Sequence, residues 1–274
     1  VQTCTMVQSV SALGMESRGY DVWVDTPFGK GLSEVACVAC GQCIDRCPVG
    51  ALYENSHIQR VWDALDNPDL HVVVQTAPAV RVAIGEEFGM PAGSLVTDKL
   101  VAGLRRLGFD KVFDTDFTAD LTIMEEGYEL LNRLKNGGTL PLLTSCSPGW
   151  INFIEHFYPE LLPHVSSCKS PQQMFGALAK TYYAQKIGAD PKNIFSVSVM
   201  PCTAKKYESD RAEMSSSGFK DVDAVLTTRE AATMMKQIGI HLPDLPDEEY
   251  DAPLGISTGA AVIFGNTGGV MEAA

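Results

Sequence analysis

Four cysteines fall within eleven residues near the start of the chain, and they constrain it more than any other feature. They lie in the run CVACGQCIDRCP, as Cys37, Cys40, Cys43 and Cys47. The spacing C-x2-C-x2-C-x3-C-P is the pattern that holds a 4Fe-4S cubane, in which three thiolates bind one cluster and the fourth binds a neighbouring cluster. A structural zinc site is the alternative, but zinc knuckles seldom use four cysteines so closely spaced before a proline. The pattern therefore predicts iron-sulfur binding.

The sharing rule predicts ligands outside this run. The first three cysteines need a fourth thiolate, for which Cys4 is the candidate. By the same symmetry, Cys47 is expected to complete a second cubane whose other three cysteines would precede Val1. We therefore expect the chain to be cut within its first cysteine motif.

Residues 5–36 separate the two halves of the cysteine motif. They contain YDVWVDTPFG, whose alternating apolar residues are typical of a hairpin, here one packed on the clusters. A simple spacer is an equally good interpretation.

The composition indicates a globular protein. The chain has 274 residues, 45% hydrophobic and 20% charged, and a formal net charge of −13. An acidic surface repels phosphate backbones, so we expect no nucleic-acid partner. No apolar stretch is long enough to cross a membrane, and the first residues do not read as a signal peptide, so we expect a soluble, unexported protein without membrane insertion.

The rest of the chain alternates between strand and helix patterns. Strands are predicted at 71–80, 140–146, 195–202 and 223–228, an amphipathic helix at 98–108, and an acidic surface loop at 242–253. Such alternation predicts a mainly parallel sheet covered by helices on both faces. Sites in these folds lie at the carboxyl ends of strands, where Cys146 and Cys202 are expected.

Four further segments carry a family resemblance. They are TSCSPGW (144–150), SCKSPQQMFG (167–176), MPCTAKKYE (200–208) and FGNTGGVMEAA (264–274). Together they closely resemble the iron-only (FeFe) hydrogenases of the clostridial type, which carry accessory ferredoxin-like clusters. The resemblance implies a partial ferredoxin-like (α+β) 4Fe-4S domain at 1–56 and an α/β H-cluster domain, with parallel sheets flanked by helices, at 57–274.

The resemblance also implies a cofactor and a reaction. In the family the H-cluster is a cubane bridged through a cysteine thiolate to a two-iron unit that carries CO, cyanide and an azadithiolate, and the reaction is 2H⁺ + 2e⁻ ⇌ H₂. At least one accessory 4Fe-4S cluster, and by expectation two, would accompany it.

Several residues match family positions at this cluster. Cys202 matches a cubane ligand, Lys205 matches the lysine that donates to a cyanide, and Met200 matches the thioether beside the bridging carbonyl. Without the family, Lys205 and its neighbour Lys206 would be interpreted as a solvated basic pair and Met200 as a core residue.

Other residues match the walls of the two-iron pocket. Ala77, Pro78 and Gln172 match its small and polar lining, and Phe264 with Gly265 match the nearby wall. The alternative for all five is ordinary strand and turn packing.

The first motif departs from the family. Most members have TSCCPGW, in which the cysteine before proline holds the cubane and the earlier cysteine passes protons to the azadithiolate. Here the pair is Cys146 and Ser147. In strict register Cys146 is the proton donor and Ser147 stands at the ligand position. In a shifted register Cys146 is the ligand and Ser147 is a hydroxyl relay, which would slow turnover because a serine hydroxyl moves protons less readily than a thiol. Both assignments stay open.

A proton route is the last implied feature. Glu126, Glu129 and Arg133 lie at i, i+3 and i+7 and so share one helical face, which by itself is typical of a salt-bridged solvent surface. The family places its proton relay at these positions and at Ser166. Cys168 has no implied role and is expected to be a buried small hydrophobic residue.

The family's third cysteine motif supplies two further cubane thiolates, and nothing like it occurs before Ala274. We expect either that the chain is truncated there too or that another polypeptide supplies these ligands.

Three functions are consistent with this sequence. The first is a catalytic hydrogenase in an anoxic cytoplasm, which exchanges electrons with ferredoxin or with a flavin-bearing NADH-binding subunit, in a possible hetero-oligomer. The second is a Narf-like iron-sulfur scaffold that makes no hydrogen, and the intact relay and Lys205 argue against it. The third is an H₂-sensing relative, which only Ser147 supports.

Overall fold

The N-terminal region is mostly loop, with one hairpin and one short helix. The computed structural model describes residues 1–273. The elements of this region are β1 (Gly14–Glu16), β2 (Trp23–Asp25) and α1 (Gln42–Asp45). Because β1 and β2 pair antiparallel, residues 5–36 do contain a hairpin, although only β2 lies within YDVWVDTPFG. The strands of the hairpin do not line the cavity beside Cys4, Cys37, Cys40 and Cys43, and Met15 and Trp23 are 59% and 53% exposed. Packing of the hairpin on a second cluster stays a prediction.

A four-stranded parallel sheet forms the centre of the molecule. Its strands are β3 (His71–Thr76), β4 (Lys111–Asp114), β5 (Ile194–Met200) and β6 (Ala224–Thr227). Their order is β4-β3-β5-β6, and every neighbouring pair is parallel. The strands expected at 71–80, 195–202 and 223–228 are therefore confirmed, although the first ends at Thr76.

The strand expected at 140–146 is wrong. This segment is irregular and makes a single bridge, from Leu143 to Val165. A short apolar run does not identify a strand by itself, because the same run also suits a partly buried loop.

The remaining helices of the described residues include those that cover the sheet. They are α2 (Ile58–Leu65), α3 (Val80–Ala83), α4 (Thr97–Leu107), α5 (Thr115–Asn136), α6 (Pro148–Phe157), α7 (Pro171–Leu178), α8 (Ala184–Ile187), α9 (Ala204–Ser209), α10 (Thr228–Gln237) and α11 (Gly269–Ala273). The helix predicted at 98–108 is confirmed as α4. Within the described residues, none of these helices is both long enough and apolar enough to cross a membrane.

The sheet is buried on both faces. Val72 and Val74 of β3 pack into one core with α2, α4 and α10, whereas Val73 packs into a second core with Phe113 and Phe175. Alternate residues of one strand thus enter opposite cores, as expected when helices cover both faces of a parallel sheet. The fold-class prediction of a parallel sheet flanked by helices is confirmed.

The segment 242–253 is only partly the surface loop that was expected. Leu242 is fully buried, and the Asp251 carboxylate accepts hydrogen bonds from Arg105 and Lys111. The acidic residues of this segment therefore hold it against α4 and β4.

Candidate metal centres and active site

Four cysteines meet around one small cavity in the N-terminal region. Cys4, Cys37, Cys40 and Cys43 all line it, and the buried side chain of Val38 belongs to the apolar cluster beside it. All four thiols are free and partly buried. The set predicted from spacing is therefore brought together, including Cys4 from the far side of the hairpin.

The electrostatics of this cavity favour a cationic occupant. Burial raises the pKa of the Cys37 and Cys43 thiols, and the neighbouring Cys40 raises both further. Four thiolates that converge in an apolar cavity are costly unless iron ions balance their charge. The donor set and its surroundings fit a 4Fe-4S cubane.

Cys47 has a different environment. Backbone amides, chiefly those of Leu52 and Val49, lower the pKa of its thiol. It does not line the cavity of the other four cysteines. An amide-rich setting suits a cluster thiolate, and its assignment to a second cubane stays a prediction.

The second candidate site lies at the carboxyl ends of β3 and β5. Met200 ends β5 and is buried, and the partly exposed Cys202 follows two residues later. Ala77, directly after β3, donates its amide to Val199 and is also buried, whereas Pro78 is exposed. The sheet thus brings the Met200 and Ala77 positions to one edge, and Cys202 follows the carboxyl end of β5 as predicted. The same prediction is wrong for Cys146, which follows an irregular segment and not a strand.

Lys205 is held inside this site rather than solvated. Its ammonium donates to the carbonyl of Cys146 at 2.7 Å and pairs with Glu208 at 3.0 Å. Gln172 donates to the same Glu208 carboxylate at 2.9 Å. Sequence reasoning missed Glu208, although its i, i+3 spacing from Lys205 was a usable signal. An ammonium from α9 that is held against the Cys146 carbonyl fits a group that carries anionic ligands.

Lys206 is also buried, so the solvated basic pair is wrong. Its ammonium pairs with Glu230 at 2.7 Å and donates to the carbonyl of Asn55. Glu230 accepts in addition from the His57 amide. Because the two lysines are consecutive on helix α9, their side chains point in different directions and pair with different buried carboxylates. Composition could not reveal this.

Cys146 and Ser147 both lie at the exposed start of α6. Ser147 is the residue before the first helical position, which Pro148 occupies, and its backbone is extended. The Cys146 carbonyl, held by Lys205, faces the site, and the Cys146 side chain is exposed. Cys146 and Cys202 are the cysteines that residues 1–273 offer to this site, and the choice between the two registers stays a prediction.

The four relay residues are brought together. Ser166 donates to Glu129 at 2.8 Å, and Arg133 donates to the same carboxylate at 2.6 Å. Glu126, one turn earlier on α5, is buried. This face of α5 thus carries the salt bridge that its sequence alone suggested, between Glu129 and Arg133, and also the buried carboxyl of Glu126.

The two glutamates of the relay have opposite pKa shifts. Burial raises the pKa of Glu126 to about 7, against the opposing effect of the Ser166 and Thr144 hydroxyls. For Glu129, burial is outweighed by hydrogen bonds from Ser166 and Arg133, which lower its pKa. Glu126 can therefore hold or release a proton near neutral pH, while Glu129 stays ionised.

A cavity of about 390 Å³ lies beside Glu126 and Ser166. Glu126, Ser166, Ser145 and Glu208 all line it, so it reaches from the relay to the residue before Cys146. Cys168 lines it as well and is only partly buried, so its expected role as a buried hydrophobic residue is wrong. Its thiol lies 3.7 Å from the Glu129 carboxylate.

Phe264 and Gly265 lie on a short turn, Ala260–Gly265, that packs on α5. Asp120 of α5 accepts hydrogen bonds from the amides of Thr258 and Ala261 and so anchors this turn. Their place in the wall of the two-iron pocket stays a prediction.

Comparison with known proteins adds family matches to this geometry. The family described as "Iron only hydrogenase large subunit, C-terminal domain" matches residues 70–274, and a "4Fe-4S binding domain" matches residues 33–53.

Individual proteins agree with these matches. The NADP-reducing hydrogenase subunit HndD of Solidesulfovibrio fructosivorans is 56% identical over 99% of this chain and 47% of its own length. The periplasmic [Fe] hydrogenase large subunit of Nitratidesulfovibrio vulgaris is 54% identical over 89% of this chain and 66% of its own length. The chain therefore spans between about half and two-thirds of these relatives.

Solved structures show the same likeness. A glutamate-to-alanine variant of the [FeFe]-hydrogenase HydA1 from Chlamydomonas reinhardtii superposes with a TM-score of 0.71 at 50% identity, over 80% of this chain and 56% of that chain. Iron-sulfur assembly proteins are more distant: narfl of Xenopus tropicalis is 31% identical over 86% of this chain.

Proposed function

We propose, since the chain belongs to the iron-only hydrogenase family, that it catalyses 2H⁺ + 2e⁻ ⇌ H₂ at an H-cluster. When bound, this group supplies the redox chemistry of protons and hydrogen at its two-iron unit with CO, cyanide and azadithiolate ligands. Cys202 and Cys146 are the thiolates that this chain would offer to its cubane, with Ser147 taking part in one of the two registers.

The relay on α5 is the observation that carries the proposal. Glu126 is buried with its pKa raised to about 7, and it lines the same cavity as Ser166 and Ser145. An iron-sulfur scaffold gains nothing from a buried carboxyl whose pKa is raised to about 7, whereas an enzyme that consumes protons needs such a group. This favours catalysis over the Narf-like alternative.

The residues around the site have separable tasks. Arg133 keeps Glu129 ionised at the outer end of the relay, and Ser166 joins Glu129 to the region of Glu126. Protons would pass from Glu126 to Cys146 or Ser147, depending on the register.

The remaining pocket residues hold the cofactor. Lys205 would donate to a cyanide while Glu208, which also accepts from Gln172, holds its side chain. Met200, Ala77, Pro78, Phe264 and Gly265 would wall the two-iron pocket.

Electrons would enter through the N-terminal cysteines. Cys4, Cys37, Cys40 and Cys43 would hold one accessory cubane, and Cys47 would complete another. The electron partner would be ferredoxin or a flavin-bearing subunit of a hetero-oligomer, in line with the relative whose name describes an NADP-reducing subunit. We also propose the division into domains at 1–56 and 57–274 and a cytoplasmic location.

The H₂-sensing alternative rests on Ser147 alone. If the shifted register holds, a hydroxyl replaces the thiol of the proton step, and turnover would be low. A sensor would therefore exchange hydrogen at a rate far below that of catalytic relatives.

Isotope exchange tests the proposal without an electron partner. The full-length protein, matured with its two-iron unit, is exposed to D₂ in H₂O, and we expect HD and H₂ by mass spectrometry. Lys205→Met is expected to abolish exchange, whereas Lys186→Met, at an exposed position, keeps it. A matured protein with full iron content and no HD would refute the proposal.

A further inference from the structure

The loop between Cys37 and Cys40 faces the candidate active site through three consecutive carbonyls. The carbonyl of Cys37 accepts from Asn152 Nδ2 at 2.9 Å, and that of Ala39 accepts from Thr203 Oγ1 at 3.0 Å. Between them, the Val38 carbonyl lies 3.2 Å from where a Cβ on Gly149 would stand. The accessory-cluster loop is therefore docked directly on α6 and on the segment after Cys202.

Glycine makes the approach to Thr203 possible. Gly41 has φ +73°, and a Cβ there would lie 2.6 Å from Thr203 Oγ1. Any other residue would be strained in this conformation and would also push the threonine away. The backbone is thus arranged to bring this hydroxyl against the cluster loop.

Thr203 and Asn152 differ in how far they are along the chain from a predicted cluster ligand. Thr203 directly follows Cys202, and Ala39 directly precedes Cys40. One hydrogen bond thus joins the chain neighbours of two predicted ligands of different cubanes. Asn152 also binds the loop, but it stands five residues beyond Ser147 on α6, so its covalent path to the active-site thiolates is much longer.

We propose that the Thr203 hydroxyl is the bridge through which electrons pass between the accessory cubane and the active-site cubane, and that Asn152 positions the docked loop. The inference rests on the proposed function, because it requires both cubanes. One electron crosses per step: the accessory cubane is oxidised by one electron as the active-site cubane is reduced by one, and no proton moves. Tunnelling is faster through a hydrogen bond than across a van der Waals gap.

The test uses the full-length protein with its cubanes assembled and the two-iron unit withheld. A pulse of reductant delivers electrons, and freeze-quench EPR follows their movement from the accessory signal to the active-site signal. The variants are Thr203→Val, which keeps the shape but loses the donor; Thr203→Ser, which keeps the donor; and Asn152→Ala, which loosens docking but keeps the bridge. Iron content and the thermal midpoint show that each variant is folded and loaded, and Thr203→Ala replaces the valine variant if that one does not load.

We expect transfer to slow several-fold in Thr203→Val, to stay near the wild-type rate in Thr203→Ser, and to slow less in Asn152→Ala. A wild-type rate in Thr203→Val overturns the inference. Equal slowing in Asn152→Ala also overturns it, because docking distance alone would then explain the effect. A wild-type protein that never assembles a second cubane would overturn both proposals, whereas normal transfer without HD in the matured enzyme would overturn only the hydrogenase proposal.

Discussion

Glu126 is buried on α5 one turn before Glu129, and its carboxyl keeps a proton at a pH where an exposed glutamate is ionised. The next residue toward the N-terminus, Glu125, is exposed on the same helix. These two neighbours offer a matched pair for separating a proton-carrying role from the general effect of removing a charge.

Glu126→Gln is expected to lower hydrogen turnover by about 10²-fold or more, since positioned proton transfer contributes on that order. The measurement is H₂ evolution from a reduced viologen, with cluster content checked by EPR. Glu125→Gln should retain wild-type turnover. Equal activity of the two variants would remove Glu126 from the relay.

The same carboxyl predicts a pH-dependent stability. Because burial raises the pKa of Glu126 from 4.5 to about 7, the folded state binds a proton that the unfolded state releases. The stabilising contribution is full below pH 4.5 and is lost as pH rises to about 7, by up to about 1.4 kcal/mol per pH unit. Urea unfolding should therefore find Glu126→Gln more stable than wild type at pH 8 and of similar stability at pH 4. Parallel stability curves for the two proteins would contradict the shift.

Ser147 is the residue that departs from the family, and Ser147→Cys is expected to raise turnover several-fold in either register. If Ser147 stands at the ligand position, active-site cubane iron should rise too; if it is a relay, iron should stay constant while proton transfer improves. Ser216→Cys, at an exposed position, controls for an added thiol. Unchanged or lower turnover in Ser147→Cys would remove this residue from the chemistry.

The sequence allowed individual site residues to be identified, but not the burial and partners of their side chains. Spacing placed Glu126, Glu129 and Arg133 on one helical face and suggested an ion pair, which the last two form, but only packing shows that Glu126 is buried. Likewise, two adjacent lysines resemble a solvated pair. Lys205 pairs with Glu208 one turn later on the same helix, a spacing that the sequence contains, but the partner of Lys206 is Glu230 of α10, which only the tertiary structure brings to it.

Two helices at the carboxyl end of the sheet are joined by a buried ion pair. Lys206 of α9 contacts Glu230 of α10, and both contact the segment before α2, through Asn55 and His57. This cluster fastens the end of the N-terminal region to the sheet domain. Removing one buried partner leaves the other charge without compensation.

Lys206→Met is therefore expected to destabilise the protein by about 3–5 kcal/mol, measured by urea unfolding. Arg229→Ala is the contrasting variant, because Arg229 is next to Glu230 on α10 but pairs with Asp45 at the surface. The Arg229 and Asp45 side chains are 58% and 61% exposed, and such exposed pairs contribute about 0–1 kcal/mol. A loss in Lys206→Met as small as that in Arg229→Ala would show that the pair does not hold the elements together.

Regular elements were more predictable than the loops that carry the chemistry. The strands around Val73, Val197 and Val225 and the helix at 98–108 followed from apolar runs and periodicity, because those patterns are local. Residues 140–146 have the same apolar run but form a loop, since they pair with only one residue at Val165. The docking of residues 37–41 on α6 depends on contacts more than a hundred residues apart, which no local pattern encodes.

Buried apolar residues are unevenly distributed over the molecule. The sheet domain contains two large apolar cores, whereas the core of the N-terminal region consists of Val10, Ala12 and Val38 beside the cysteines. A region with so little buried apolar surface depends on other bonds for its stability.

Removal of iron is therefore expected to unfold the N-terminal region while the sheet persists. Hydrogen exchange on the protein before and after chelation should lose protection around residues 1–50 and retain it in β3 and β5. Unchanged protection around the cysteines after complete iron loss would show that this region folds without clusters.

The residues at the carboxyl ends of β3 and β5 are proposed to hold an H-cluster. The most direct test is an infrared spectrum of the anaerobically matured full-length protein, in the window where iron-bound CO and cyanide absorb. We expect sharp bands there, with the cyanide bands shifted in Lys205→Met. An empty window in a protein that has been matured and retains its cubane iron would contradict that proposal.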